Sequence, residues 1–228
     1  MRVRRTSPGQ NPEAVAYSAA RPIVRWVLHG EGVFKYSTLS MRISGGEMGG
    51  RKLKVPPGDA VRPTQDRVRE ALYSMLMNVI PDAVFIDLFA GSGSVGFEAY
   101  SRGARSVTWV EKEPRHAALL RENIAALVPG KGEVACCEVA RWLKGPGRGR
   151  QADVVFADPP YAAGREQGFA DLMGLLAANR VLRQGGIFVA EMPEARPAEE
   201  VAGWTLLRDR TYGHTRLAVY KLERALVD

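Results

Sequence analysis

The chain has 228 residues and a mass of 24.9 kDa, enough for one full-sized domain, or one domain with an appendage, that buries roughly 70% of its unfolded surface. Apolar residues at 46% and charged residues at 25% exclude a disordered, collagen-like or coiled-coil chain. The net charge of +7 is one-sided: residues 1–76 hold 13 Lys and Arg against 6 Asp and Glu, and residues 77–228 hold 19 of each. A neutral body with a basic N-terminal lobe is the footprint of a protein that grips a polyanion through that lobe. Cys136 and Cys137 are adjacent and His29, His116 and His214 lie far apart, which suits neither a disulfide framework nor a metal site. No apolar run nears the ~20 residues of a membrane span, and Arg4-Arg5 leads into polar Thr6 to Gln10, where a signal peptide needs apolar residues. The expectation is a soluble, cytoplasmic protein without a metal.

Residues 1–40 show no sustained hydrophobic period, and little independent structure is predicted for this basic extension. Residues 41–63 read as a hairpin: Arg42-Ile43-Ser44 and Arg51-Lys52-Leu53-Lys54-Val55 flank a turn rich in glycine. The remainder, 64–228, opens with Thr64 as helix cap and Val68, Leu72, Met75, Leu76 and Val79 at helical spacing up to Pro81. Strand and helix patterns then alternate: strand Val84 to Leu88, helix Ser94 to Arg102, strand Val107 to Glu111, helix Pro114 to Leu127, strand Glu133 to Cys137. Asp153 to Ala157, a helix near Phe169 to Asn179, Ile187 to Glu191, and two closing strands around Gly213-His214 complete the series. This order predicts an α/β fold, a mostly parallel sheet covered on both faces with an antiparallel final hairpin, and a ligand site at the carboxyl ends of its strands.

The first of those ends runs Asp87-Leu88-Phe89-Ala90-Gly91-Ser92-Gly93-Ser94-Val95-Gly96, and its glycines satisfy G-x-G-x-x-G with Glu111 some ~20 residues on. A dinucleotide would place its pyrophosphate there, but the Asp87 carboxylate would repel it and would welcome an ammonium or sulfonium group instead. S-adenosylmethionine carries both cations and no phosphate. In that reading Asp87, Phe89, Ala90, Gly91 and Gly93 shape the pocket for its methionine part, Glu111 accepts hydrogen bonds from the ribose hydroxyls, and Glu138 accepts from the adenine amino group. The plain alternatives are a strand-to-helix turn with incidental acids, and a surface cap for Glu138. The cysteines are read as strand packing, because no paired base is present to activate a thiol.

Asp158-Pro159-Pro160-Tyr161 ends another strand. Two prolines cannot continue a ladder and hold the backbone rigid. An amino group on a purine or amide is a poor nucleophile, and an acceptor pair, the Asp158 carboxylate and a proline carbonyl, can hold its two hydrogens while Tyr161 stacks on the base.

Taken together, Arg42 through Gly46, Gly50 through Leu53, Arg62-Pro63-Thr64, Asp66 through Glu70, Asp87 through Gly96, Glu98-Ala99, Ser101 through Ala104 and Asp158 through Tyr161 resemble the bacterial methyltransferases that modify the 2-amino group of a guanine in 16S ribosomal RNA. The likeness runs from about Met41 to Glu223. It implies a Rossmann-like seven-stranded class I methyltransferase sheet, S-adenosylmethionine as donor with S-adenosylhomocysteine as product, and Asp158, Pro159, Pro160 and Tyr161 as the catalytic corner. It also implies an RNA-facing N-terminal hairpin, on which Arg42, Arg51, Lys52, Lys54, Arg62, Arg67 and Arg69 are the candidate phosphate contacts. The partner implied is 16S rRNA in a partly or fully assembled small subunit, met by a monomer away from any membrane. Glu138 stands where relatives more often have Asp or Asn, and residues 1–40 have no counterpart, being either an upstream-start artefact or an RNA-binding arm. Competing readings are an adenine methyltransferase on DNA, a methyltransferase on protein glutamine, an NAD-dependent oxidoreductase and a non-catalytic RNA-binding protein.

Overall fold

The computed structural model describes residues 26–29, 33–36, 41–55, 63–160 and 168–223. The chain divides into two units, Met1–Ser37 and Thr38–Asp228. In the first, where the sequence predicts little structure, strands β1 (Trp26–His29) and β2 (Val33–Tyr36) pair antiparallel.

The second unit is built on a seven-stranded sheet. Its strands are β5 (Val84–Leu88), β6 (Ser106–Glu111), β7 (Gly132–Cys136), β8 (Ala152–Ala157), β9 (Leu182–Pro193), β10 (Trp204–Tyr212) and β11 (Thr215–Leu222), in the spatial order β10-β11-β9-β8-β5-β6-β7. The five strands from β9 to β7 run parallel, and β11 and β10 are antiparallel, as the sequence predicts. The central strands are apolar on both sides because helices cover both faces. Helices α1 (Pro63–Leu76), α2 (Ser94–Ser101) and α3 (Pro114–Leu127) pack one face with Phe85, Trp109, Val154, Phe156 and Val189. Helices α4 (Val139–Lys144) and α5 (Ala170–Ala178) pack the other with Ile86, Val155, Phe188 and Tyr220. The chain enters the sheet at β5, the middle of the five parallel strands, and winds first to β6 and β7, then back to β8. Strand order therefore reverses beside β5, which is where an open sheet leaves a crevice at its carboxyl edge. Among the described residues no helix is long and apolar enough to cross a membrane.

Two local readings are refined. α1 begins at Pro63, so Thr64 lies inside the first turn instead of capping it; proline suits that position because its missing N–H has no helical partner there. The six-residue α4 was not foreseen, being too short for a helical period to show.

Strands β3 (Met41–Arg42) and β4 (Lys52–Leu53) form the predicted hairpin. Met41, Ile43, Met48 and Leu53 enter the core, and α2 ties down the loop between the strands. Glu98, fully buried on α2, accepts hydrogen bonds from the Ser44 backbone N–H and hydroxyl, each at 2.7 Å, and from Arg102 Nε and Nη2 at 2.9 and 2.7 Å. Ser101 Oγ donates to the Gly45 carbonyl at 2.6 Å and accepts from the Met48 N–H at 2.8 Å. Gly46 is required here: its φ is 76° and a Cβ would lie 2.0 Å from the Ser101 carbonyl oxygen. On the β4 side, Asn123 of α3 exchanges two hydrogen bonds with the Lys54 backbone at 2.8 and 3.0 Å. Removing one partner of a buried charged network costs about 3–5 kcal/mol. Glu98→Ala is expected to lower stability by about that amount in urea denaturation, and to lose hydrogen-exchange protection first at the Ser44 amide.

Candidate active site

At the carboxyl edge of the sheet lies a cleft of about 1000 Å³ lined from β5, β6, β8, β9, α1 and the loop after β5. Asp87, Phe89, Ala90, Gly91, Glu111, Glu138, Asp158, Pro159 and Pro160, which the sequence predicts to act together, all line it. Tyr161 and Arg62 lie outside the described residues.

The loop after β5 is held by its carboxylates. Asp87 is buried, and its Oδ2 accepts the Gly96 N–H at 2.9 Å. Glu111, at the end of β6, accepts the Gly91 N–H at 2.7 Å on one oxygen and the Glu113 N–H at 2.7 Å on the other. Each Glu111 oxygen keeps a second lone pair for a ligand hydroxyl. Phe89 has a φ of 60°, a left-handed conformation that costs a bulky residue about 1–3 kcal/mol and that gathers at functional sites.

One predicted contact is corrected. Gly93 does not line the cleft: it is buried, its N–H donates to the Ala90 carbonyl at 2.7 Å, and its carbonyl accepts the Trp109 indole N–H at 3.1 Å. A Cβ on Gly93 would meet Leu120 at 2.2 Å and one on Gly96 would meet Trp109 Nε1 at 2.2 Å. These two glycines therefore let α2 approach β6 and α3, and of the three glycines only Gly91 faces the ligand space.

Asp158 follows β8, open to the cleft but surrounded by protein, and desolvation raises its carboxyl from 3.8 to about 6. Asp87 is pushed well above its ordinary range by burial, with Asp158 and Glu111 adding to the push and the Gly96 N–H opposing it. The sequence reading passed over Glu191 of β9, which also lines the cleft. Burial, Asp158 and Asp87 raise its carboxyl from 4.5 to about 8, against the pull of Arg69. Its signal was present, since it ends the predicted strand Ile187 to Glu191 and so stands at the ligand edge of a parallel sheet. Among the described residues no three acidic, histidine or cysteine groups gather as metal ligands. The arrangement instead suits an organic cation, whose charge would ease the repulsion among Asp87, Asp158 and Glu191.

Around this centre the other candidates separate. Glu138 is exposed, 3.6 Å from Lys112 Nζ, and stands before α4 without a capping side-chain bond. Cys137 packs against the core while Cys136, expected to pack as well, is exposed on the edge strand; burial pushes the Cys137 thiol up, away from reactivity. Arg42, Arg51, Lys52 and Arg67 are exposed. Lys54 is exposed and paired with Glu122 at 2.8 Å. Arg69 is corrected: it is 4% exposed, and its Nη2 donates to the Arg42 carbonyl at 3.1 Å and to Asp66 at 2.6 Å, so it locks the hairpin to α1 instead of meeting a phosphate backbone.

The comparisons with known proteins bear on this geometry directly. The family model described as conserved hypothetical protein 95 matches residues 41–221. Ribosomal RNA small subunit methyltransferase D of Haemophilus influenzae is 36% identical over 183 residues, 79% of this chain and 93% of the relative. The protein of the same name from Escherichia coli is 35% identical over 184 residues, 80% and 90% of the two chains. The chain belongs to the ribosomal RNA small subunit methyltransferase D family. The solved structure of Escherichia coli yhhF, described as a methyltransferase, superposes with a TM-score of 0.71 at 36% identity, covering 81% of this chain and 98% of that one. The family resemblance read from the motifs, and the seven-stranded methyltransferase fold it implies, are thus met, and the family match begins at Met41, where the sequence likeness begins.

The raised Glu191 carboxyl has a consequence for stability. The folded chain binds this proton more tightly than the unfolded chain, so Glu191 costs nothing below its ordinary value of 4.5 and costs progressively more as pH rises to about 8. Glu191→Gln is therefore expected to match the parent in urea denaturation near pH 4 and to exceed it at pH 8, with the gap opening between those values.

Proposed function

We propose that this protein transfers the methyl group of S-adenosylmethionine to the exocyclic 2-amino group of a guanine in 16S ribosomal RNA of the small subunit. The observation that carries this reading is that Asp158-Pro159-Pro160 opens into the same cleft as Asp87 and Glu111. The names of the relatives support the RNA substrate, as does the basic lobe with exposed Arg42, Arg51, Lys52 and Arg67.

The donor supplies an electrophilic methyl group on a sulfonium centre. Asp87 faces the cationic methionine part, Gly91 closes over it, the free lone pairs of Glu111 take the ribose hydroxyls, and Glu138 takes the adenine amino group. The Asp158 carboxylate and the Pro159 carbonyl accept the two hydrogens of the guanine amino group, favouring the pyramidal nitrogen that attack requires, and Tyr161 stacks on the base. Asp158 also receives the proton released as the carbon–nitrogen bond forms. No residue of the chain forms a covalent bond with substrate.

Small subunits from a cell lacking this protein, incubated with labelled S-adenosylmethionine, are expected to yield 2-methylguanosine on nucleoside analysis. Label in methyladenine or methylglutamine would overturn the substrate, and no transfer with no cofactor binding would overturn the reaction. Asp158→Ala is expected to bind RNA as the parent does and to lose about 10²–10³-fold in kcat, the usual cost of one acceptor or donor aimed at the reacting group. For the parent, log kcat/KM is expected to rise with pH through about 6 as Asp158 ionises. The four exposed cations correspond to a slope of log affinity against log salt of roughly −3. Arg51→Ala with Lys52→Ala is expected to make that slope shallower by roughly 1.5 in a filter-binding titration while leaving cofactor affinity unchanged.

A further inference from the structure

The reaction as drawn gives no task to Glu191, which lines the cleft. β8 and β9 run parallel with Phe156 opposite Val189 and Ala157 opposite Ala190. Asp158 follows the last residue of β8 and Glu191 follows Ala190 on β9, so both come directly after the Ala157–Ala190 pair, where neighbouring strands run roughly 4.8 Å apart. Side chains alternate across a sheet. Phe156 and Val189 pack the face covered by α1, and Ala157 and Ala190 the opposite face. Asp158 and Glu191 therefore project to the α1 side, as Asp87 does opposite Phe156, and all three line the cleft.

The chemistry of the acceptor base shows what a second carboxylate beside Asp158 can do. The 6-amino group of adenine and the 2-amino group of guanine both flank ring nitrogen N1, and an acceptor pair for two amino hydrogens does not distinguish them. The neighbouring nitrogen does: N1 of guanine carries a hydrogen, whereas N1 of adenine carries a lone pair. We propose that Glu191 is the guanine-specificity residue, its carboxylate accepting the N1–H of the target base while Asp158 and the Pro159 carbonyl hold the amino hydrogens. The assignment rests on the methyltransferase reading above and adds to it the atom by which guanine is chosen. An adenine in the same place would set its N1 lone pair against a carboxylate oxygen. The charged groups around Glu191 set the pH range of this role. Asp158 and Asp87 oppose its ionisation and Arg69 of α1 favours it, with the balance lifting the carboxyl to about 8. A carboxyl lifted that far is largely protonated in the empty cleft at neutral pH and would offer its O–H to a bare N1, so the discrimination belongs to the ionised form, which a bound organic cation favours, and the preference for guanine is expected to grow as Glu191 ionises.

The test uses 2,6-diaminopurine, which keeps the 2-amino group of guanine but has a bare N1. With the methylated guanine mapped, small subunits are assembled with guanine or with 2,6-diaminopurine at that one nucleotide, and kcat/KM is measured on both for the full-length protein and for Glu191→Gln. The carboxamide offers an N–H that suits a bare N1. The ratio of guanine to diaminopurine turnover is expected to be at least about 10-fold in the parent and to fall about 10- to 100-fold in the variant, the worth of one buried donor matched or mismatched. The base's 6-position affects parent and variant alike, so the change in ratio isolates the contact to N1. Glu191→Ala, which removes the acceptor without adding a donor, is expected to lower the same ratio, so the conclusion does not depend on one variant folding well. An unchanged ratio in both variants, or a parent that does not discriminate, would overturn the assignment. Absence of transfer to guanine by the parent would overturn the methyltransferase reading instead.

Discussion

Carboxylates crowded at the carboxyl ends of β5, β6, β8 and β9 impose the constraint around which this protein is organised. A parallel sheet brings every strand end to one edge, and here Asp87, Glu111, Asp158 and Glu191 meet there. Burial is the first cause of the raised carboxyls of Asp87, Asp158 and Glu191, and neighbouring carboxylates add to it at Asp87 and Glu191. Their separate surroundings decide what each can do. Asp87 is deepest and bonded to the helix it precedes. Glu111 is held by two backbone N–H groups. Asp158 and Glu191 line the cleft from β8 and β9.

A single eight-residue helix serves both ends of this machinery. The first turn of α2 carries Gly96, which donates to Asp87, and its second half carries Glu98 and Ser101, which hold the hairpin. Glu98 lies 3.5 Å from Arg69 Nε, and Arg69 reaches the Arg42 carbonyl and borders the cleft. The basic hairpin and the loop after β5 are thus fastened to the same rigid element, and the buried ions Glu98 and Arg69, with half-buried Arg102, are the bolts. Such a network stabilises little relative to apolar packing but is costly to break, which suits a joint between the hairpin and the cleft.

Much of this was legible in the sequence. The alternation of strand and helix patterns, the glycines after β5, the acids at strand ends and the paired prolines after β8 are local signals, and each appears in the structure at the predicted place within one to a few residues. What escaped the sequence depended on neighbours far along the chain. Arg69 and Arg51 look alike as letters, yet one is buried under the hairpin and the other exposed. Gly91 and Gly93 belong to one motif, yet only Gly91 faces the cleft, because Trp109 and Leu120 occupy the space beside Gly93. Glu191 was placed on a strand but given no role, since its meaning lies in the register of β9 against β8.

Local chemistry is written in order along the chain: proline stops a ladder, glycine permits a positive φ, and a period of two or three and a half residues marks a strand or a helix. From these the sequence determined the fold class, the family resemblance and the strand ends at which chemistry would gather. Which carboxylates share a face, which cations remain in solvent and which glycine lines the cleft were decided only by the tertiary structure. Those properties belong to pairs of residues distant along the chain, and no local pattern encodes the distance between them until the sheet has set its order and register.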